Sequence, residues 1–129
     1  MIEYIMIEYK VQVYDNGTKE WYLNGKLHRE DGPAREFPDG TKEWYLNGKL
    51  HREDGPACEY TNGVKFWYLN GERHQEDGPA IEYSNGDKFW YLNGVEYSEQ
   101  EFLEKTKPTK ELTVSEIEQL LGYKVKVVK

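Results

Sequence analysis

A strict internal repeat constrains this chain more than any other feature. The pentapeptide Trp-Tyr-Leu-Asn-Gly occurs four times, at Trp21, Trp44, Trp67 and Trp90, each 23 residues after the last. Residues 18–34 and 41–57 are identical. Residues 64–86 keep the pentapeptide, the His and Glu-Asp-Gly-Pro-Ala, and the fourth unit stops after Gly94. Repetition at so short a period means an array, in which each unit buries its apolar face against its neighbours. The chain has 129 residues, room for one small domain or a short array. Hydrophobic residues make up only 37%, so the core is thin. Aromatics reach 15%, which argues against disorder.

Each unit reads as two short strands. The first is Thr-Lys-Glu-Trp-Tyr-Leu, whose aromatic content and alternation suit a pleated strand. Asn-Gly then reads as its end, and Lys-Leu-His-Arg-Glu-Asp-Gly-Pro as a loop. The second strand covers 34–37, 57–60 and 80–83. It ends in Asp39-Gly40, Asn62-Gly63 or Asn85-Gly86, which are strong hairpin signals. Asp15-Asn16-Gly17 likewise predicts that Ile2–Tyr14 pairs with Thr18–Leu23. The expected fold is mainly all-β: an elongated antiparallel ribbon of hairpin repeats, residues 1–94, with a small C-terminal α/β cap, residues 95–129. Trp and Leu of each unit share one face, and Tyr takes the other.

The cap is expected to hold two short helices and a closing strand. Ser98 caps the first, with Glu101 completing a capping box. Ser115 caps the second and Gly122 stops it. Tyr123–Lys129 alternates like a strand.

The pattern Trp-x-x-Asn-Gly-Lys-x-His, followed by Gly and then Asp-Gly, resembles the MORN repeat from Lys10 to about Ser98. The resemblance implies successive β-hairpins. The fuller unit Trp-Tyr-Leu-Asn-Gly-Lys-Leu-His-Arg-Glu-Asp-Gly-Pro-Ala is similar to repeat proteins of bacteriophages and large viruses. Residues 112–125 look like the endings of such phage proteins. This resemblance implies a viral origin.

Formal net charge is −7, which disfavours nonspecific binding to nucleic acid or anionic membrane. The start lacks the pattern of a signal peptide, so a cytoplasmic protein is expected, in the host cytoplasm if viral. Cys58 is the single cysteine, which excludes an internal disulfide and a cysteine metal site. His28, His51 and His74, with Asp31, Asp54 and Asp77 three residues on, recur along the ribbon and do not converge, so they read as loop-backbone partners and not zinc ligands. No cofactor or metal is expected. The Asn-Gly pairs read as turns and not as a phosphate cradle. The Trp ladder reads as packing.

No nucleophile, base and oxyanion set is visible, so a non-catalytic binding protein is expected. Its contact residues are Tyr22, Tyr45, Tyr68 and Tyr91, with Glu53 and Glu76 from the recurrent acidic rows. Given the viral resemblance, the concrete form is a phage-encoded inhibitor of a host defence protein, such as an anti-CRISPR factor. The alternative is a protein that sequesters a small nucleotide-like ligand, with Arg29, Arg52 and Arg73 facing phosphate. Ile2, Ile5, Met6 and Ile7 form an apolar cluster at one end, which predicts homodimerisation through the N-terminal strand.

Overall fold

Asn-Gly suits a two-residue hairpin turn because both positions take positive φ. Asn24 and Gly25 do so, at 51° and 76°, and Asn47, Asn70 and Asn93 fall at 51°, 51° and 48°. The pair therefore folds the strand back instead of ending it, and the two middle units hold four short strands each where the sequence reading expected two.

A computed structural model describes residues 6–108 and 112–126. In the first unit β1 (Lys10–Val13) pairs with β2 (Lys19–Leu23), which turns at Asn24-Gly25 into β3 (Lys26–Leu27). Then β4 (Arg35–Glu36) returns alongside β2. The second unit holds β5 (Lys42–Glu43), β6 (Tyr45–Leu46), β7 (Lys49–Leu50) and β8 (Cys58–Glu59). The third holds β9 (Lys65–Phe66), β10 (Tyr68–Leu69), β11 (Glu72–Arg73) and β12 (Ile81–Glu82). The last hairpin is β13 (Lys88–Leu92) with β14 (Val95–Tyr97), so it runs on past Gly94. The fold is mainly antiparallel β-hairpin sheet. One sheet runs β1-β2-β4-β5-β8-β9-β12-β13-β14. The Asn-Gly hairpins form a second row: β6-β7 and β10-β11 are separate two-stranded sheets, while β2-β3 and β13-β14 are continuous with the main sheet.

Tryptophan is where each unit passes from one row to the other. Trp44 donates its N–H to the Ala57 carbonyl in the main sheet and accepts the His51 N–H in the hairpin row, at 2.7 and 3.0 Å. Trp21 and Trp67 make the same two bonds with Ala34 and His28, and with Ala80 and His74. Trp44 and Trp67 each fall between two short strands, whereas β2 and β13 run through Trp21 and Trp90 unbroken.

The hairpins are joined to one another by backbone and by histidine. Arg29 N–H donates to the Tyr45 carbonyl and Gly48 N–H to the Leu27 carbonyl, and both bonds recur at the next two junctions. His28 Nδ1 accepts the Asn47 N–H at 2.9 Å, His51 that of Asn70, and His74 that of Asn93. This corrects the expectation that histidine holds its own loop: each one holds the following unit. Close approach leaves room only for small residues, so Ala34, Ala57 and Ala80 are fully buried. No large side chain among the described residues is.

Beyond the sheet, α1 (Glu99–Thr106) lies against β13 and β14 and buries Phe102. Its N-cap is Ser98, with Glu101 completing the capping box. Then α2 (Val114–Leu121) is capped by Thr113 and Glu116 and stopped by Gly122 in the left-handed region. Thr113 displaces Ser115 from the expected cap, because both have Glu three residues on and Thr113 gives the longer helix. Tyr123–Lys126 carry no strand, and the remainder of the expected closing strand lies outside the described residues. So does the Ile2–Ile5 part of the apolar cluster.

The histidine bond sets a prediction. His51→Ala leaves the Asn70 amide without its acceptor and should cost about 1–3 kcal/mol in urea denaturation. Glu53→Ala, at an exposed loop tip, should stay within about 0.5 kcal/mol.

Candidate functional site

Each His-Arg-Glu-Asp-Gly-Pro-Ala loop lies over the tryptophan of its own unit. The Arg29 guanidinium sits 4.1 Å from the Trp21 ring centre, and that of Arg52 sits 3.8 Å from Trp44. Arg29 Nε donates to Asp31 and Nη1 to the Pro33 carbonyl. Arg52 does the same with Asp54 and Pro56, and reaches Glu59 at 2.8 Å. These two arginines are thus occupied within their own loops. Arg73 stands elsewhere, because by the repeat register it matches Leu27 and Leu50. Its Nε and Nη1 donate to the Tyr68 and Tyr91 hydroxyls at 3.3 Å. The structure does not bring Arg29, Arg52 and Arg73 together.

The sheet face bearing Tyr is largely self-satisfied. Tyr22 donates to Glu20 at 3.1 Å, and Tyr45 to Glu43 at 3.5 Å. Tyr22, Tyr45, Tyr68 and Tyr91 are all half-buried. Strand register lines up Gln12, Glu20, Arg35, Glu43, Cys58, Phe66, Ile81 and Phe89 across this face. The row begins ionic and ends apolar. Arg35 bridges buried Glu20 at 2.7 Å and Glu43 at 3.2 Å. Further on, Tyr60, Phe66, Tyr83 and Phe89 pack edge to face, with centroids 5.6–6.0 Å apart.

The acidic rows separate into three kinds. Glu20 and Glu43 belong to Arg35. Glu36, Glu59 and Glu82 alternate across strands with Lys19, Lys42, Lys65 and Lys88. Glu30, Glu53 and Glu76 stand at the loop tips, at 67%, 84% and 75% side-chain exposure, beside His Nε2 at 3.3–3.6 Å. Asp31 and Asp54 are as open, at 85% and 89%. Successive loops therefore raise acidic tips along one side. Between the first two lies an open cleft of about 700 Å³ over Trp44 and Leu46. Sequence reasoning missed this cleft, though the period itself places consecutive loops side by side.

No group of three or more His, Cys, Asp or Glu among the described residues is placed to hold a metal ion. No described helix is long and apolar enough to cross a membrane. Buried Cys58 is poor as a nucleophile: burial, with the Glu43 charge nearby, pushes its thiol up to about 12. Burial and Glu43 likewise push Tyr45 up to about 12. A hydrogen bond to Glu20 raises Tyr14 to about 12. Burial alone would raise Glu20, but hydrogen bonds from Tyr14 and Arg35 and the Arg35 charge outweigh it and hold the carboxyl below its ordinary value. The chain matches no family model, no curated protein and no solved structure.

These shifts predict the pH range of the fold. The thiol and phenols hold their protons more tightly folded than unfolded, so their contribution is complete below the unfolded values, 9.0 for Cys58 and 10.0 for Tyr45. It is lost as pH climbs toward about 12. The Glu20 contribution is present above 4.5 and lost as pH falls below it. Melting temperature by circular dichroism should fall on the alkaline side from about pH 9, and Cys58→Ala should delay that fall to about pH 10.

Proposed function

We infer that this chain is a non-catalytic binding protein that presents its loop tips to a basic protein surface. The observation that carries the reading is the periodic acidic edge, with Glu30 and Asp31, Glu53 and Asp54, and Glu76 and Asp77 repeated at 23-residue intervals and exposed. Carboxylates on stiff, repeated loops offer charge complementarity at fixed spacing, which gives orientation and association rate. A chain of net charge −7 adds long-range attraction for such a partner. The contact keeps Glu53 and Glu76 from the sequence reading. It moves away from Tyr22, Tyr45, Tyr68 and Tyr91, whose hydroxyls are engaged within the sheet. The more concrete version, a viral inhibitor of a host defence protein, is supported by the resemblance of the repeat unit.

Partner capture with the full chain, followed by binding kinetics, tests this. Reversing Glu53 and Glu76 to Lys should slow association by roughly tenfold or more at low salt and reduce its salt dependence. Far-ultraviolet circular dichroism should stay unchanged, because both side chains are exposed. A partner bound equally well by the reversed chain would contradict the reading.

A further inference from the structure

The three loops follow one plan, and the third lacks one part of it. At the position of Arg29 and Arg52 the third unit has Gln75. The Gln75 Oε1 accepts the Asp77 N–H at 3.2 Å, and glutamine carries no guanidinium to place over the ring. The rest of the arginine seat is kept: Trp67, Asp77, Pro79 and Glu82 correspond to Trp44, Asp54, Pro56 and Glu59.

Three observations show that the seat is open. A Cβ built on Gly32 or Gly55 would meet the guanidinium carbon of Arg29 or Arg52 at 3.0 or 2.7 Å, whereas one built on Gly78 meets nothing within 4 Å. Among the described residues, the Asp77 and Glu82 carboxylates have no hydrogen-bond or ion-pair partner. No cation lies over Trp67, where its two counterparts each carry a guanidinium. The first two units also give the pose: the guanidinium carbon over the indole, Nε on the Asp, and Nη1 on the Pro carbonyl near the Glu. That geometry suits the planar fork of guanidinium and not the point charge of an ammonium.

We propose that the third unit is a binding site for an arginine side chain supplied by a protein partner. The site rests on the repeat geometry, and its occupant rests on the protein-binding reading above. The adjoining acidic loop tips favour a cationic polypeptide as the source.

Two measurements on the full chain test it. Gln75→Arg supplies the missing guanidinium in cis and should raise the melting temperature by roughly 3–6 °C. Gln75→Lys should not, and Glu82→Gln should remove most of the gain. Absence of any gain overturns the site. In the second measurement, acetyl-Gly-Arg-Gly-amide is titrated while the indole N–H signals are followed by NMR. The Trp67 signal should move and that of Trp44 should not, with a dissociation constant on the order of millimolar. Asp77→Asn should weaken binding roughly tenfold, and Gln75→Arg should abolish it. Equal binding of the citrulline peptide overturns the proposal. Methylguanidinium binding as tightly as the peptide overturns the protein occupant. If the arginine peptide binds while charge reversal at Glu53 and Glu76 changes nothing, the failure falls on the acidic-edge reading and the site stands.

Discussion

The hydrogen bond from the Asn N–H of one unit to the His Nδ1 of the unit before it sets the spacing of the whole array. Most strands here are only two residues long, too short to fix a register by pairing alone. The clip spans 19 residues and ties the turn of each hairpin to its predecessor. While Nδ1 accepts, the ring hydrogen belongs to Nε2, which faces Glu30, Glu53 or Glu76. The turn glycines face the preceding hairpin: a Cβ built on Gly48 would meet the stem of Lys26, one on Gly71 that of Lys49 and one on Gly94 that of Glu72, at 3.6–3.9 Å. With units so locked, the loops fall in line, and the acidic edge and the arginine seats follow from that alignment.

Two faces of the same sheet divide the work. On one, guanidinium over indole and fully buried alanines supply the packing that a chain with so few large aliphatic residues cannot obtain otherwise. On the other, the central row changes from Glu20-Arg35-Glu43 to Cys58-Phe66-Ile81-Phe89. Both halves satisfy the same rule. A buried carboxylate has its guanidinium partner, and where the charges end the aromatic rings begin.

The period, the antiparallel hairpins and both helices were legible in the sequence. The returning strand after each Asn-Gly turn was not, because Lys-Leu-His-Arg carries no strand-like alternation and reads as a loop, although Asn24-Gly25 folds β2 directly into β3. Arg73 was grouped with Arg29 and Arg52 by residue type. Repeat register pairs those two with Gln75 instead, and that one departure from the pattern exposes the open seat. The partner of histidine could not be read locally, since Asn47 lies a unit away from His28. Nor could the occupation of the tyrosines, which depends on hydroxyl contacts with Glu20, Glu43 and Arg73. Thr113 and Ser115 carry equivalent capping signals, so only the fold chooses between them.

Native-state hydrogen exchange of the Asn47, Asn70 and Asn93 amides tests the unit-to-unit clip most directly. Amides at the first central position of an exposed two-residue turn ordinarily have no intramolecular acceptor and exchange freely. With His Nδ1 accepting them, these three should be protected to a degree comparable with the Trp44 and Trp67 amides of the main sheet. Exchange at the rate of an unprotected turn would contradict the clip and, with it, the account of how the array is held.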